Sequence, residues 1–217
     1  DDEPAHDPHA TTTGISHEKL GMWLFLGSEC LLFGGLISTF LLYKKKLQFF
    51  EGFEDTKVNQ LGAKIFDIPF TSVSSFVLLM SSLTMVLAVR AAQVGSRGGQ
   101  IVNLILTIIF GTTFLVVKYF EYAEKFEHHL VPGPNFDPTL APQQQIFFAL
   151  YFIMTGIHAA HMVVGIGIML VILRMAWKGA FTPEYYGPIE VSGLYWHFVD
   201  IVWIFLFPLL YLIGRHA

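Results

Sequence analysis

Five stretches of this chain are long and apolar enough to cross a lipid bilayer, and they restrict the folds open to it. Crossing about 30 Å of hydrocarbon takes about 20 predominantly apolar residues in a helix. The windows that qualify are residues 21–43, 68–89, 101–119, 145–173 and 193–213. The fourth is too long to stand upright, so it tilts or projects beyond the bilayer. Lipid offers backbone N–H and C=O groups no partners, so each window reads as an α-helix. The alternating polarity of membrane β-strands, in segments of about ten residues, is absent. The expected fold class is an all-α integral membrane protein with five transmembrane helices.

Composition agrees. Charged residues make up 14% of the chain, against about 25% for a soluble domain. A net charge of −4 argues against nucleic-acid binding, which needs basic patches. A single cysteine, Cys30, excludes a disulfide within the chain and any four-cysteine metal site. Residues 1–16 are acidic and polar, the opposite of a signal-peptide n-region, so the first apolar segment reads as a retained span. The expected division is a mobile tail, 1–16, and a five-helix domain, 17–217. The linkers fall at 44–67, 90–100, 120–144 and 174–192, and the third holds V-P-G-P-N-F-D-P-T-L-A-P-Q and reads as a loop. No internal repeat supports the inverted-repeat plan of many transporters.

With an odd number of spans the termini lie on opposite faces. The face of the N-terminus holds Lys19, Arg90, Arg97, Arg174 and Lys178. The other holds Lys44, Lys45, Lys46, Lys57, Lys64, Lys118, Lys125 and Arg215. By the positive-inside rule this count favours an outside N-terminus.

Polar groups at membrane depth are costly, so each is a candidate for function. Glu29 lies about nine residues into the first span, in G-S-E-C-L-L-F-G-G. It reads either as a proton-accepting or lipid-contacting carboxylate in a cleft, or as packing glue bonded to a neighbouring helix. In T-G-I-H-A-A-H-M-V-V-G, His158 and His161 are three apart and share a face. Such a pair can chelate one ion, but interhelical hydrogen bonding beside Gly156 and Gly165 is the stronger expectation. It cannot supply both axial ligands of one haem. In Y-W-H-F-V-D, His197 and Asp200 share a face; they read as a proton-shuttling or a neutralising pair, and Trp196 suits the interfacial aromatic belt.

These residues carry a resemblance. T-G-I-H-A-A-H-M-V-V-G (155–165) followed by E-V-S-G-L-Y-W-H-F-V-D-I-V-W-I-F-L-F (190–207) closely resembles subunit III of the haem–copper terminal oxidases. G-M-W-L-F-L-G-S-E-C-L-L-F-G-G (21–35) looks like the first helix of that family's five-helix core. K-Y-F-E-Y (118–122) fits the end of its third. The resemblance runs from about residue 19 to the end. It implies a five-helix bundle with a V-shaped, phospholipid-holding cleft between two helices and three, a cytoplasmic N-terminus against the charge count, and a multi-pass place in the bacterial inner membrane. It implies that this chain holds no haem, copper or catalytic centre. The chain would pack with subunits I and II, which carry those cofactors, and support proton uptake and sustained turnover. Glu29 matches the family's cleft carboxylate, and Arg174 and Lys178 its headgroup-contacting basic residues. His158 and His161 match the fourth-helix histidines, while Glu190, Trp196, His197 and Asp200 match the fifth-helix signature. His197 and Asp200 are expected to fasten the last helix through Glu190 or the fourth-helix histidines. Tyr185–Tyr186 and Ser38 depart from many relatives, which changes the expected headgroup contacts.

Within the family, electrons come from cytochrome c or from quinol. The quinol branch tends to show S-D where this chain has Ser28-Glu29, and to lack the acid at Glu190, which favours cytochrome c. The alternatives are a quinol oxidase subunit III and a stand-alone transporter lined by Glu29, His158 and His161.

Overall fold

The computed structural model describes residues 17–47, 68–127, 129–133 and 142–212. The tail 1–16, most of the 44–67 linker, residues 134–141 of the proline loop and residues 213–217 lie outside them. The chain forms five helices: α1 (His17–Leu47), α2 (Ile68–Gln93), α3 (Arg97–Glu127), α4 (Pro142–Trp177) and α5 (Gly187–Phe207). Pro208 ends the last α-helix, and Pro208–Leu212 continue as a short π-helical turn. Every helix is long and apolar enough to cross a membrane, so the five expected spans all form.

Each of the first four helices outruns its apolar window. The expected linker at 90–100 shrinks to three residues, Val94–Ser96. Here Ser96 N–H reaches Ala91 O at 2.8 Å and Gly95 N–H reaches Ala92 O at 3.1 Å. That Schellman closure requires a left-handed residue, and Gly95 supplies it at φ +73°. Gly179, also at φ +73°, closes α4 in the same way. A turn this short makes α2 and α3 antiparallel neighbours along their length. Thr84 and Thr107 bond across the seam, 2.7 Å between hydroxyl oxygens. α3 continues past residue 119 because its late charges, Lys118, Glu121 and Lys125, are spaced for one face and all three are buried.

α5 is the centre of the bundle and packs on α1, α2 and α4. α1 lies on α4 and α5, while α2 lies on α3 and α5. α1 and α2 make little contact with each other, and each leans on α5. α1 is the least embedded span, with Leu24, Leu31 and Leu42 at 70–80% exposure. Large apolar side chains pointing outward are what a bilayer-facing surface presents.

Trp196 sets the spacing of three helices. It is 1% exposed, which corrects the interfacial-belt reading. Its indole edge fills the space above two glycines: a Cβ on Gly111 of α3 would stand 2.7 Å from the ring, and one on Gly165 of α4 2.9 Å. Its Nε1–H donates to Ser81 Oγ of α2 at 3.0 Å. Small residues let helices approach in this way within a membrane.

Candidate functional site

The polar side chains at membrane depth sort into three clusters. The first joins α1 to α4. Glu29 Oε2 lies 3.2 Å from His161 Nε2, a close carboxylate–imidazole contact without the alignment of a hydrogen bond. His161 Nδ1 is 2.9 Å from Ile157 O. A carbonyl can only accept, so Nδ1 carries a proton and Nε2 is the nitrogen turned to the carboxylate. Phe33 meets the imidazole edge-on at 5.6 Å, and Tyr195 stacks on it at 6.5 Å. The Tyr195 hydroxyl donates to His161 O at 3.0 Å, tying α5 into the same cluster.

The second cluster holds the fifth-helix pair. His197 Nδ1 is 2.6 Å from Ser82 Oγ of α2, and Ser82 also bonds the Asp200 carboxylate. One hydroxyl donates once, so the consistent order is His197 Nδ1–H to Ser82, and Ser82 O–H to Asp200. This corrects the expectation that Glu190 or the fourth-helix histidines complete the pair. Ser82 does so, and Glu190 instead reaches Lys19 of α1 at 2.8 Å. Ser82→Ala is expected to destabilise the bundle by about 1–3 kcal/mol, because two half-buried or buried polar groups lose a shared partner. Thermal dissociation of the purified complex in detergent measures it. Wild-type stability in that variant would remove Ser82 as the link.

The third cluster lies outside the expected contacts, although its charges share one face of α3. Glu121 accepts from Lys118 at 2.6 Å, Lys125 at 2.7 Å and the Tyr151 hydroxyl of α4 at 2.7 Å. All four residues are buried. Lys118 also stands 4.4 Å from the Trp203 ring centre, where a cation meets the ring's negative face. Lys118 and Lys125 therefore point into the protein and are not membrane-surface charges, which lowers the orientation count from eight to six against five. The charge argument for an outside N-terminus loses most of its margin.

His158 belongs with this third cluster. Sequence spacing put it on one face with His161, but the structure sends them to different neighbours. His161 turns to α1, while His158 stacks on Trp203 of α5 at 5.1 Å and meets Phe114 of α3 edge-on. Arg174 and Lys178 lie exposed at the end of α4, one turn apart. The missed residues, Ser81, Ser82, Gly111, Glu121 and Tyr151, left one usable trace. Lys118, Glu121 and Lys125 fall at i, i+3 and i+7, an ion-pair stripe on one helical face.

The family model described as cytochrome c oxidase subunit III matches residues 3–215. The chain belongs to the cytochrome c oxidase subunit III family. Quinol oxidase subunit 3 of Bacillus subtilis is 33% identical over 90% of this chain and 86% of its own. Cytochrome bo(3) ubiquinol oxidase subunit 3 of Pseudomonas aeruginosa is 30% identical over 98% and 92%. Cytochrome c oxidase subunit 3 of Alkalihalophilus pseudofirmus is 31% identical over 97% and 93%. This chain is thus a subunit III of a haem–copper oxidase, a multi-pass membrane component of an oxidoreductase. Its identity to relatives of the two donor branches differs by too little to choose between them.

Proposed function

We propose that this chain is the non-redox subunit III of a proton-pumping cytochrome c oxidase of a bacterial inner membrane. It packs with subunits I and II, holds phospholipid, and supports proton uptake and sustained turnover. The observation that carries this reading is the use made of the family's polar signature. Glu29 meets His161, Glu190 meets Lys19, Trp196 meets Ser81, and His197 meets Ser82. Each contact closes one helix on another, which is the work of a supporting subunit. Haem and copper belong to the partner subunits, and Arg174 and Lys178 offer exposed cations to lipid phosphates.

Cytochrome c is favoured as donor because Glu190, an acid that the quinol branch tends to lack, pairs with Lys19, and because glutamate rather than aspartate follows Ser28. The quinol reading draws on the names of the Bacillus and Pseudomonas relatives. Oxygen uptake by the purified complex with reduced cytochrome c, and separately with a short-tailed quinol, tests the choice. Turnover with cytochrome c is expected; turnover with quinol alone would reverse it.

Glu29→Ala and Arg174→Ala are expected to leave the initial rate near wild type and to hasten its loss during turnover. Repeated oxygen-uptake traces check this. Immediate loss of activity in an assembled complex with intact haem would count against a supporting role.

A further inference from the structure

Because α1 and α2 both lean on α5 but hardly touch each other, one face of α5 is left uncovered between them. Leu194, His197, Ile201 and Ile204 make up that face, at spacings of three and four residues, and none of them is fully buried. Ile201 and Ile204 are 50% and 46% exposed. Ser82 borders the face from α2 through its bond to His197, and Lys19 borders it from α1 through Glu190, one turn before Leu194. The α1 side is low: Gly27 and Gly34 are exposed, and a Cβ at either would meet nothing within 4 Å. Glycines placed so let another helix approach closely.

His197 is the polar group in the middle of this face. It is the eleventh of the 24 residues in the span Gly187–Leu210, so about 15–20 Å of helix separate it from either end. Its Nδ1 lies 2.6 Å from Ser82 Oγ, and Ser82 gives its own proton to Asp200. Nδ1 therefore carries the imidazole proton, and Nε2 is a bare acceptor. Nε2 has no partner among the described residues, and unlike both nitrogens of His158 it is not sealed inside the bundle. An acceptor that opens onto an apolar face at this depth is unfavourable until a donor covers it.

That acceptor defines the cover. An acyl chain has no donor, and a lipid headgroup stays at the membrane surface. A water needs about two to four polar partners and would find one, since Leu194, Ile201 and Ile204 are aliphatic and Asp200 Oδ1 is buried. A second copy of this chain, related by a two-fold axis, would bring the same face and hence a second bare acceptor. A transmembrane helix from a different chain meets the requirement. It satisfies its own backbone in lipid, it fits a face whose side chains recur every three and four residues, and it can carry a donor at mid-membrane. We propose that the face formed by α1, α5 and α2 docks a transmembrane helix of a partner oxidase subunit, which presents a hydroxyl, amide or indole donor to His197 Nε2. This docking rests on the reading of the chain as a supporting subunit, and adds the surface and the chemistry that hold it there.

The test is photocrosslinking in the whole complex, with photoleucine, a diazirine close to leucine in size, placed at Ile201 or at Val163 of α4. Val163 is 59% exposed and lies near the middle of its span, Gln145–Trp177. Ile201 is expected to label one helix of a partner subunit, at a segment carrying a hydroxyl, amide or indole side chain, and Val163 to label lipid. Ile201→Trp, which fills the face and leaves every polar group in place, is expected to lose this chain from the haem-containing complex, whereas Val163→Trp keeps it. A density map of the wild-type complex is expected to show the donor about 3 Å from His197 Nε2. Labelling of lipid alone or of a second copy from Ile201, equal partner labelling from both positions, or full retention of Ile201→Trp overturns the proposal. So does a map with an acyl chain or water over His197, which decides the matter even where a variant fails to assemble. Any of these results in a complex that still co-purifies and decays as expected removes this surface and leaves the supporting role in place.

Discussion

Glu121→Leu is expected to destabilise the chain by about 3–5 kcal/mol, because two buried ammonium groups lose the carboxylate they share. Lys118, Lys125 and Tyr151 all donate to Glu121, and the whole group is buried beside α4. Thermal loss of this subunit from the detergent-solubilised complex measures the effect. The informative comparison is a fourfold variant: Lys118→Met, Glu121→Leu, Lys125→Met and Tyr151→Phe together. Replacing buried ions together by apolar side chains of similar size is often neutral or stabilising, so the fourfold variant is expected to lose less stability than Glu121→Leu alone. A Glu121→Leu variant as stable as wild type would show that the lysines do not depend on this carboxylate.

Trp196→Ala is expected to cost a similar amount, about 3–5 kcal/mol for truncating a large buried aromatic. The mechanism differs. Trp196 fills the space between Gly111 and Gly165 and bonds Ser81, so three helices lose one common spacer. Gly111→Val attacks the same contact from the other side, since its Cβ would stand 2.7 Å from the indole. It is expected to separate α3 from α5 and to reduce the amount of assembled subunit. Subunit stoichiometry by gel and the thermal trace report both variants. Normal assembly of Gly111→Val would show that the indole can move aside cheaply.

The element plan was legible because each span advertises itself by length and apolarity, the strongest constraint lipid imposes. Helix ends were less legible. A hydropathy window stops where charge begins, whereas α3 carries its charges inward and runs on to Glu127. The signature residues were found as residues, but their partners were not. Ser81 and Ser82 are ordinary serines in a charge-free span, and only the approach of α5 makes one the acceptor for Trp196 and the other the link between His197 and Asp200. His158 and His161 show the limit of spacing arguments. Side chains 60° apart on one helix meet different neighbours when α1 and α5 flank it.

The central claim is that this chain sustains an oxidase whose chemistry lies in partner subunits. Its most direct test is an oxygen-uptake time course, with reduced cytochrome c as donor. The intact complex is compared with one stripped of this chain at equal haem content. Equal initial rates are expected, followed by a decay in the stripped complex that the intact one does not show. A stripped complex inactive from the first turnover, or one that keeps pace with the intact enzyme throughout, would contradict the account.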